Sequence, residues 1–190
     1  MRKHYIVTGR ELYVDESRLT GQGVFTPDKI SEGELICFMQ GEVVSIEDLK
    51  RRFVSKTLRP CDPLQVSERL YLDLGKPQVY FNHSCSPNSS VSGIGELRAF
   101  KSINSGEEIR YDYSTTEWTA DYFGRFEKWA MRCRCGSGNC RRTIEQFPFL
   151  PVHLQRNYIQ RGAVQDFIIH KVALRLRRDL LRRSYKLKVQ

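Results

Sequence analysis

The feature that most restricts how this chain can fold is the octapeptide CRCGSGNC at 133–140, which sets three cysteines in a C-x-C-x4-C pattern. Thiolates this close together, with Gly136 and Gly138 permitting a tight turn, suit tetrahedral zinc, and a zinc site built only from protein takes four ligands. Cys133, Cys135 and Cys140 supply three, so the fourth has to come from elsewhere in the chain. The remaining cysteines are Cys37, Cys61 and Cys85. Cys37 follows the apolar pair Leu35-Ile36 and reads as a small buried hydrophobe. Cys61 lies in RPCDP, a proline-bounded loop, and reads as a free thiol. Cys85 is the remaining candidate.

Cys85 sits in VYFNHSCSPN at 79–88, where Asn82, His83, Ser84 and Cys85 put an amide, an imidazole, a hydroxyl and a thiol on consecutive residues directly after an apolar run. A core strand would not fill its interior that way, and a surface loop gains nothing from a cysteine. The stretch therefore has a task beyond packing.

At 190 residues the chain has room for one domain with an appended tail. Its 40% hydrophobic and 28% charged residues are ordinary globular composition. No apolar run approaches the ~20 residues of a membrane span, and the first residues, MRKHYIVTGRELYV, contain no apolar core of a secretory signal. The expectation is a soluble intracellular protein with no membrane span and no disulfides. The net charge is +9, and residues 171–190 hold eight basic residues and one acidic one, a share of +7 that leaves +2 for the rest. The basicity thus belongs to the tail, which is either a solvated face or a surface for nucleic acid or an acidic partner. Tyr185 is the tail's one aromatic residue, so base stacking is poorly provided.

Residues 1–80 read as β-rich. YIVTGRELYV, GQGVFTP, GELICFMQGEVVS and ERLYLDLG are short runs of apolar and β-branched residues bounded by Gly or Pro. SIEDLKRRFVSK at 45–56 has a Ser cap, early acids and later bases, which predicts a short helix. GELRAFKSINSGEEIRYDYS predicts strand, turn and strand, with NSG as the turn. The aromatic stretch between 114 and 132 reads as part helix and part loop. PVHLQRNYIQRG predicts a helix with Pro151 as its first residue. Residues 166–188, apolar at 168, 172, 176 and 180, predict a basic amphipathic helix. The fold class is mostly β, with small sheets and short helices, a zinc loop and a helical C-terminus. By themselves the glycines of GQGVF would mark a bulge or hairpin, and Thr26 stands where a dinucleotide fingerprint needs its third glycine. His4, His153 and His170 have no motif around them.

NHSCSPN at 82–88, then GEEIRYDYS at 106–114, then CRCGSGNC resembles, in order, the three signature segments of the SET-domain protein lysine methyltransferases; GQGVF at 21–25 matches that family's G-x-G element. The resemblance spans roughly residues 10–141, and EKWAMRCRCGSGNCRRTI with LPVHLQRNY looks like the compact bacterial-type members, which lack a cysteine-rich segment ahead of the domain. It implies a SET domain over 1–128, a post-SET zinc segment over 129–145 and a helical extension over 146–190. It implies S-adenosylmethionine as cofactor, with Gly21, Gln22 and Gly23 contacting its methionine end through the backbone and Asn82 and His83 also touching it. Cys85 would complete the zinc site with Cys133, Cys135 and Cys140, and NHSC would lie against IRYDY in a knot-like threading, a rare exception to unthreaded chains. Tyr113 takes the place of the family's catalytic tyrosine, and Tyr111 that of the switch residue limiting how many methyl groups are added. Two positions depart from the family pattern: Met39 where a tyrosine is usual and Val79 where arginine is frequent.

The residue types agree with that chemistry. An amine must arrive neutral and in line with the methyl it accepts, and free lysine has a pKa of about 10.4, so an apolar aromatic channel with one aimed hydroxyl serves it. The partner implied is a protein bearing the target lysine, histone or otherwise. The alternative is a catalytically weak SET-like zinc module acting as a protein- or nucleic-acid-binding adaptor.

Overall fold

The first run, YIVTGRELYV, is not one strand. It folds back at Thr8 and Gly9, both with positive φ (53° and 75°), the conformation a two-residue hairpin turn demands. In the computed structural model, which describes residues 2–18, 21–59, 62–118 and 130–188 with side chains as far as 180, β1 (Lys3–Val7) pairs antiparallel with β2 (Arg10–Ser17), and β2 with β3 (Gly21–Phe25). The run GELICFMQGEVVS also divides. It gives β4 (Leu35–Phe38) and β5 (Gly41–Ser45), which enter different sheets. Gly41 is required where β5 leaves the break, because an added Cβ would collide with the Asp73 carbonyl of the facing strand.

Helix α1 (Ile46–Val54) forms as its sequence predicts. Ser45 caps it, its hydroxyl accepting the Asp48 N–H at 3.1 Å, and Glu47 and Asp48 favour the positive end of the helix dipole. Leu49 on its inner face is buried with Val44 and Tyr71. Strands β6 (Leu64–Gln65) and β7 (Leu70–Leu74) complete the sheet β5-β7-β6. Next come β8 (Asn82–His83), β9 (Ser89–Ser92) and β10 (Glu96–Ala99), with β4, β10 and β9 forming a third sheet. β11 (Arg110–Tyr111) runs parallel to β8, and β12 (Ala130–Arg132) pairs with β13 (Thr143–Glu145) around the cysteine octapeptide.

The principal core joins Leu12, Val14, Val24, Ile36, Leu97 and Ile109 from these small sheets. Cys37 lies in it with no exposed surface, and burial pushes its thiol up to about 12, as befits a small hydrophobe. A second core forms where α2 (Val152–Gln160) and α3 (Asp166–Lys188) return to the domain. Phe147, Leu150, Tyr158 and Ile168 pack there against Phe100 and Trp118. Pro151 caps α2 instead of opening it. α3 is anchored at its start, where Lys171 pairs with Glu68, whereas residues 173–180 are all exposed. Among the described residues no helix is long and apolar enough to cross a membrane. Cys61, the side chain of Tyr185 and residues 119–129 of the aromatic stretch lie outside the described residues.

Candidate active site and cysteine cluster

The parallel pair β8–β11 sets the site. Its register places Asn82 beside Arg110 and His83 beside Tyr111, and the Ser84 N–H donates to the Tyr111 carbonyl at 2.9 Å. Asn88 fixes the far end of the NHSCSPN segment. Its side-chain amide donates to the Glu108 carbonyl at 2.8 Å and to Glu107 at 3.0 Å, and its side-chain carbonyl accepts the Arg110 N–H at 2.8 Å. The two signature segments are therefore laced together by backbone and side chain alike.

Asn82 also reaches the G-x-G strand. Its amide donates to the Gln22 carbonyl at 2.8 Å and to Glu108 Oε1 at 2.7 Å. Glu108 Oε2 in turn accepts from Ser17 at 3.1 Å. The Glu108 carboxylate is pressed so closely on Gly23 that any Cβ there would collide with it, which explains the second glycine of GQG. Gly21, with φ of 82°, is the glycine that the turn into β3 requires.

A cavity of about 500 Å³ opens beside these elements, lined by Gly21, Gln22, Val79, Asn82, His83 and Tyr113 among others, with Cys135 and Ile144 of the cysteine hairpin forming a wall. Gly23 and Tyr111 stand behind this lining: Gly23 is buried against Glu108, and the Tyr111 ring packs on Tyr113 with centroids 4.8 Å apart. The Tyr113 hydroxyl donates to the Phe81 carbonyl at 2.7 Å. The His83 ring meets the edge of Tyr113, and its Nδ1 accepts the Tyr113 N–H at 3.2 Å, leaving the proton on Nε2, 3.3 Å from the Cys85 sulfur. Burial drives the His83 pKa down to about 4, and the nearby Asp112 carboxylate does not prevail against it, so the ring is neutral.

Three of the four expected cysteines, Cys85, Cys133 and Cys135, gather with His83, and Cys140 adjoins Cys133. Cys85 Sγ is 3.7 Å from Cys133 Sγ, which is 3.6 Å from Cys140 Sγ, and the Cys85 N–H donates to Cys135 Sγ at 3.4 Å. Sulfurs tetrahedral about zinc at ~2.3 Å would stand ~3.8 Å apart, close to these two sulfur–sulfur separations. Further N–H groups face the sulfurs, from Arg141 to Cys85 and from Arg142 to Cys140, each at 3.4 Å. His83, Cys85, Cys133 and Cys135 all bring a ligand atom within 4.8 Å of one another, so His83 competes with Cys140 for the fourth place. Burial pushes the Cys85 thiol up to about 11 and raises Cys133 as well. At Cys135 burial acts the same way, but the N–H of Cys85 and the Ser137 contacts outweigh it and lower the pKa. Thiols raised in this way are neutral unless a cation is present, and a divalent cation reverses the balance.

Asp112, the middle residue of YDY, has a part that reading the two tyrosines alone misses. It is fully buried, and its Oδ1 accepts from Arg141 Nη2 at 2.7 Å and from the Ser114 N–H at 3.1 Å. Its Oδ2 accepts from the Tyr158 hydroxyl at 2.9 Å. Burial alone would lower the Arg141 pKa, but the carboxylate outweighs it and raises it; burial and the same carboxylate both raise Tyr158. One carboxylate thus ties the YDY segment to the cysteine hairpin and to α2. The signal in the sequence was the unexplained arginine directly after Cys140.

Small paired sheets, a cavity shared by a glycine strand and an Asn-His pair, and a sulfur cluster walling it define a β-rich protein built around one compound site. Residues 21–114 match the SET domain, and the chain belongs to the SET-domain family. It is 33% identical over 73% of its length to the variant-silencing SET domain-containing protein of Plasmodium falciparum, and 30% identical over 76% to the histone-lysine N-methyltransferase ash1 of Drosophila melanogaster. It covers 6% and 7% of those proteins. Against histone-lysine N-methyltransferase ASHH3 of Arabidopsis thaliana the identity is 26% over 75% of this chain and 40% of that one. The chain thus spans well under half the length of these relatives. The fold is shared with the methyltransferase domain of human SETMAR, with a TM-score of 0.55 and 23% identity over 70% of this chain and 57% of that one. The three relatives are eukaryotic, so the likeness to bacterial-type members rests on the resemblance of the C-terminal segments alone.

Proposed function

We propose that this chain transfers the methyl group of S-adenosylmethionine to the side-chain amine of a lysine in a protein substrate. The observation that carries this reading is the shared cavity onto which Gly21, Gln22, Asn82, His83 and Tyr113 all open. Bound there, S-adenosylmethionine supplies a methyl already activated on a sulfonium, so no protein nucleophile is required. Gly21 and Gln22 offer backbone groups, Asn82 holds the Gln22 segment in place, and neutral His83 shapes the wall. Tyr113 orients the incoming amine, its hydroxyl held in place by donating to the Phe81 carbonyl. Tyr111, packed on Tyr113, limits the room beside the lysine nitrogen.

Zinc is held by Cys85, Cys133, Cys135 and Cys140, with His83 as a donor to the Cys85 sulfur. The Nδ1 contact with Tyr113 and the Arg142 N–H on Cys140 favour this set. The SET domain takes in residues 1–128, the zinc segment 129–145 and the helical extension 146–190. Histones are the first substrate to try, because two of the relatives are named histone-lysine N-methyltransferases, and the exposed basic residues of α3 suit an acidic or nucleic-acid-bearing assembly. Radiolabelled methyl transfer to a histone mixture, followed by mass spectrometry of the labelled residue, tests the reading; no label on any lysine, with cofactor bound, refutes it.

Three variants probe the roles. Asn82→Ala should weaken S-adenosylmethionine binding by about 1–3 kcal/mol, the scale of leaving Glu108 and the Gln22 carbonyl unmet, and calorimetry with unchanged affinity would contradict it. Tyr113→Phe should lower kcat by about ten- to a hundredfold with little change in peptide KM, as for a polar contact realised in the transition state. Tyr111→Phe should shift products from monomethyl-lysine toward dimethyl and trimethyl forms. Mass spectrometry of exhaustive reactions reads this, and ready trimethylation by the unaltered protein would clear Tyr111 of that role.

A further inference from the structure

Through β12 and into the loop after it, arginine and cysteine alternate: Arg132, Cys133, Arg134, Cys135. Side chains of extended backbone point to opposite sides in turn. The structure obeys this, burying Cys133 and Cys135 in the sulfur cluster and leaving Arg132 and Arg134 exposed. Arg142 lies across the hairpin, its carbonyl accepting the Cys133 N–H at 2.8 Å, and is exposed too. The three arginines line one cleft of about 480 Å³, together with Gly136, Ser137 and the edges of Cys133 and Cys140. Among the described residues no carboxylate lines it. Among the same residues none of the three makes an ion pair, whereas Arg10, Arg52, Arg98, Arg141 and Arg161 each hold a carboxylate.

We propose that this cleft binds the sugar-phosphate backbone of duplex DNA. Guanidinium groups present a planar fork that matches phosphate oxygens two at a time, and all three cations here are arginine. Among the described residues the cleft has no aromatic side chain on which an unpaired base could stack, so it is built for the backbone of a duplex and not for a single strand. A phosphorylated side chain would be satisfied by this one cleft. A second basic cluster, Arg175, Arg177 and Arg178, is exposed on α3 beside the single acid Asp179 and makes no ion pair among the described residues, which suits an extended polyanion. Arg132 and Arg134 also reach the rim of the cavity beside Tyr113, so a duplex seated in the cleft lies next to that cavity. DNA binding by itself does not depend on the proposed methyl transfer.

The test is fluorescence polarisation of the full chain with a fluorescein-labelled duplex DNA of mixed sequence, across a salt series. Replacing Arg132, Arg134 and Arg142 together by glutamine should weaken binding about tenfold or more at ~0.1 M salt and make the log–log salt dependence shallower by about 2.7, ~0.9 for each phosphate no longer neutralised. Replacing the same three by lysine should keep the slope and lose part of the affinity, since charge stays but the fork goes. An unchanged slope in the glutamine variant overturns the proposal. So does a wild type that binds a phosphoserine peptide but no duplex. Loss of zinc by elemental analysis, or of S-adenosylmethionine affinity by calorimetry, with duplex binding intact would assign the arginines to the metal or the cofactor instead. Should the glutamine variant not fold, the lysine variant decides, because affinity equal to wild type would exclude bidentate contacts.

Discussion

Stripping the protein with a strong chelator should release one zinc per chain and abolish methyl transfer, while most of the β-sheet circular dichroism persists. Structural zinc is worth on the order of 10 kcal/mol in small domains, far more than any single hydrogen bond. Here the hairpin β12–β13 contributes Ile144 and Met131 to an apolar cluster beside the sulfurs, and Arg141 ties it to Asp112, so the ion is the largest of a few attachments. The principal core contains no residue of this hairpin and should survive. Hydrogen exchange should therefore rise sharply at 130–145 and only modestly elsewhere, and added zinc should restore activity. Cys133→Ser should reproduce the chelated state. Full activity in metal-free protein, confirmed by elemental analysis, would remove zinc from the account.

The second large effect is expected at Asp112→Asn. The substitution keeps shape and leaves an acceptor for Tyr158, but it strands the charge of Arg141 in a largely buried setting. Breaking one side of such a pair costs about 3–5 kcal/mol. In a chain of this length that amounts to a fall in Tm on the order of 10 °C. Adding Arg141→Gln to Asp112→Asn should recover part of the loss, because two neutral partners are less costly than one unpaired ion. A denaturation midpoint within ~0.5 kcal/mol of the parent would mean that water reaches the pair and screens it.

Much of this arrangement was legible in the sequence, and the parts that were not had two causes. Helix α1 was readable because its cap and early acids act within one turn, and the sulfur cluster because its ligand spacing is dense and chemically narrow. The hairpin at Thr8-Gly9 and the break between β4 and β5 at Met39-Gln40 were not readable, since an apolar run looks the same whether it continues or folds back. Asp112, Glu108 and Asn88 were hidden for a different reason. A buried acid or amide cannot be told from a solvated one until its partners are known, and the partners of Asp112, Arg141 and Tyr158, stand 29 and 46 residues along the chain.

The lacing of residues 82–88 has a bearing on how the protein comes into being. The groups that fasten its later half all follow it in the sequence: Glu107 to Arg110 bind Asn88, and Cys133, Cys135 and Arg141 meet Cys85. A chain emerging from the ribosome N-terminus first can complete the sheet β1-β2-β3 early, but it carries Asn88 without its partners until Arg110 has emerged, and Cys85 without its own until the cysteine hairpin has cleared the exit tunnel. During that interval Cys85 and His83 are uncovered, and pairings this distant along the chain form slowly. Zinc supplied during synthesis, and not only after it, should therefore govern how much of the protein reaches the native state.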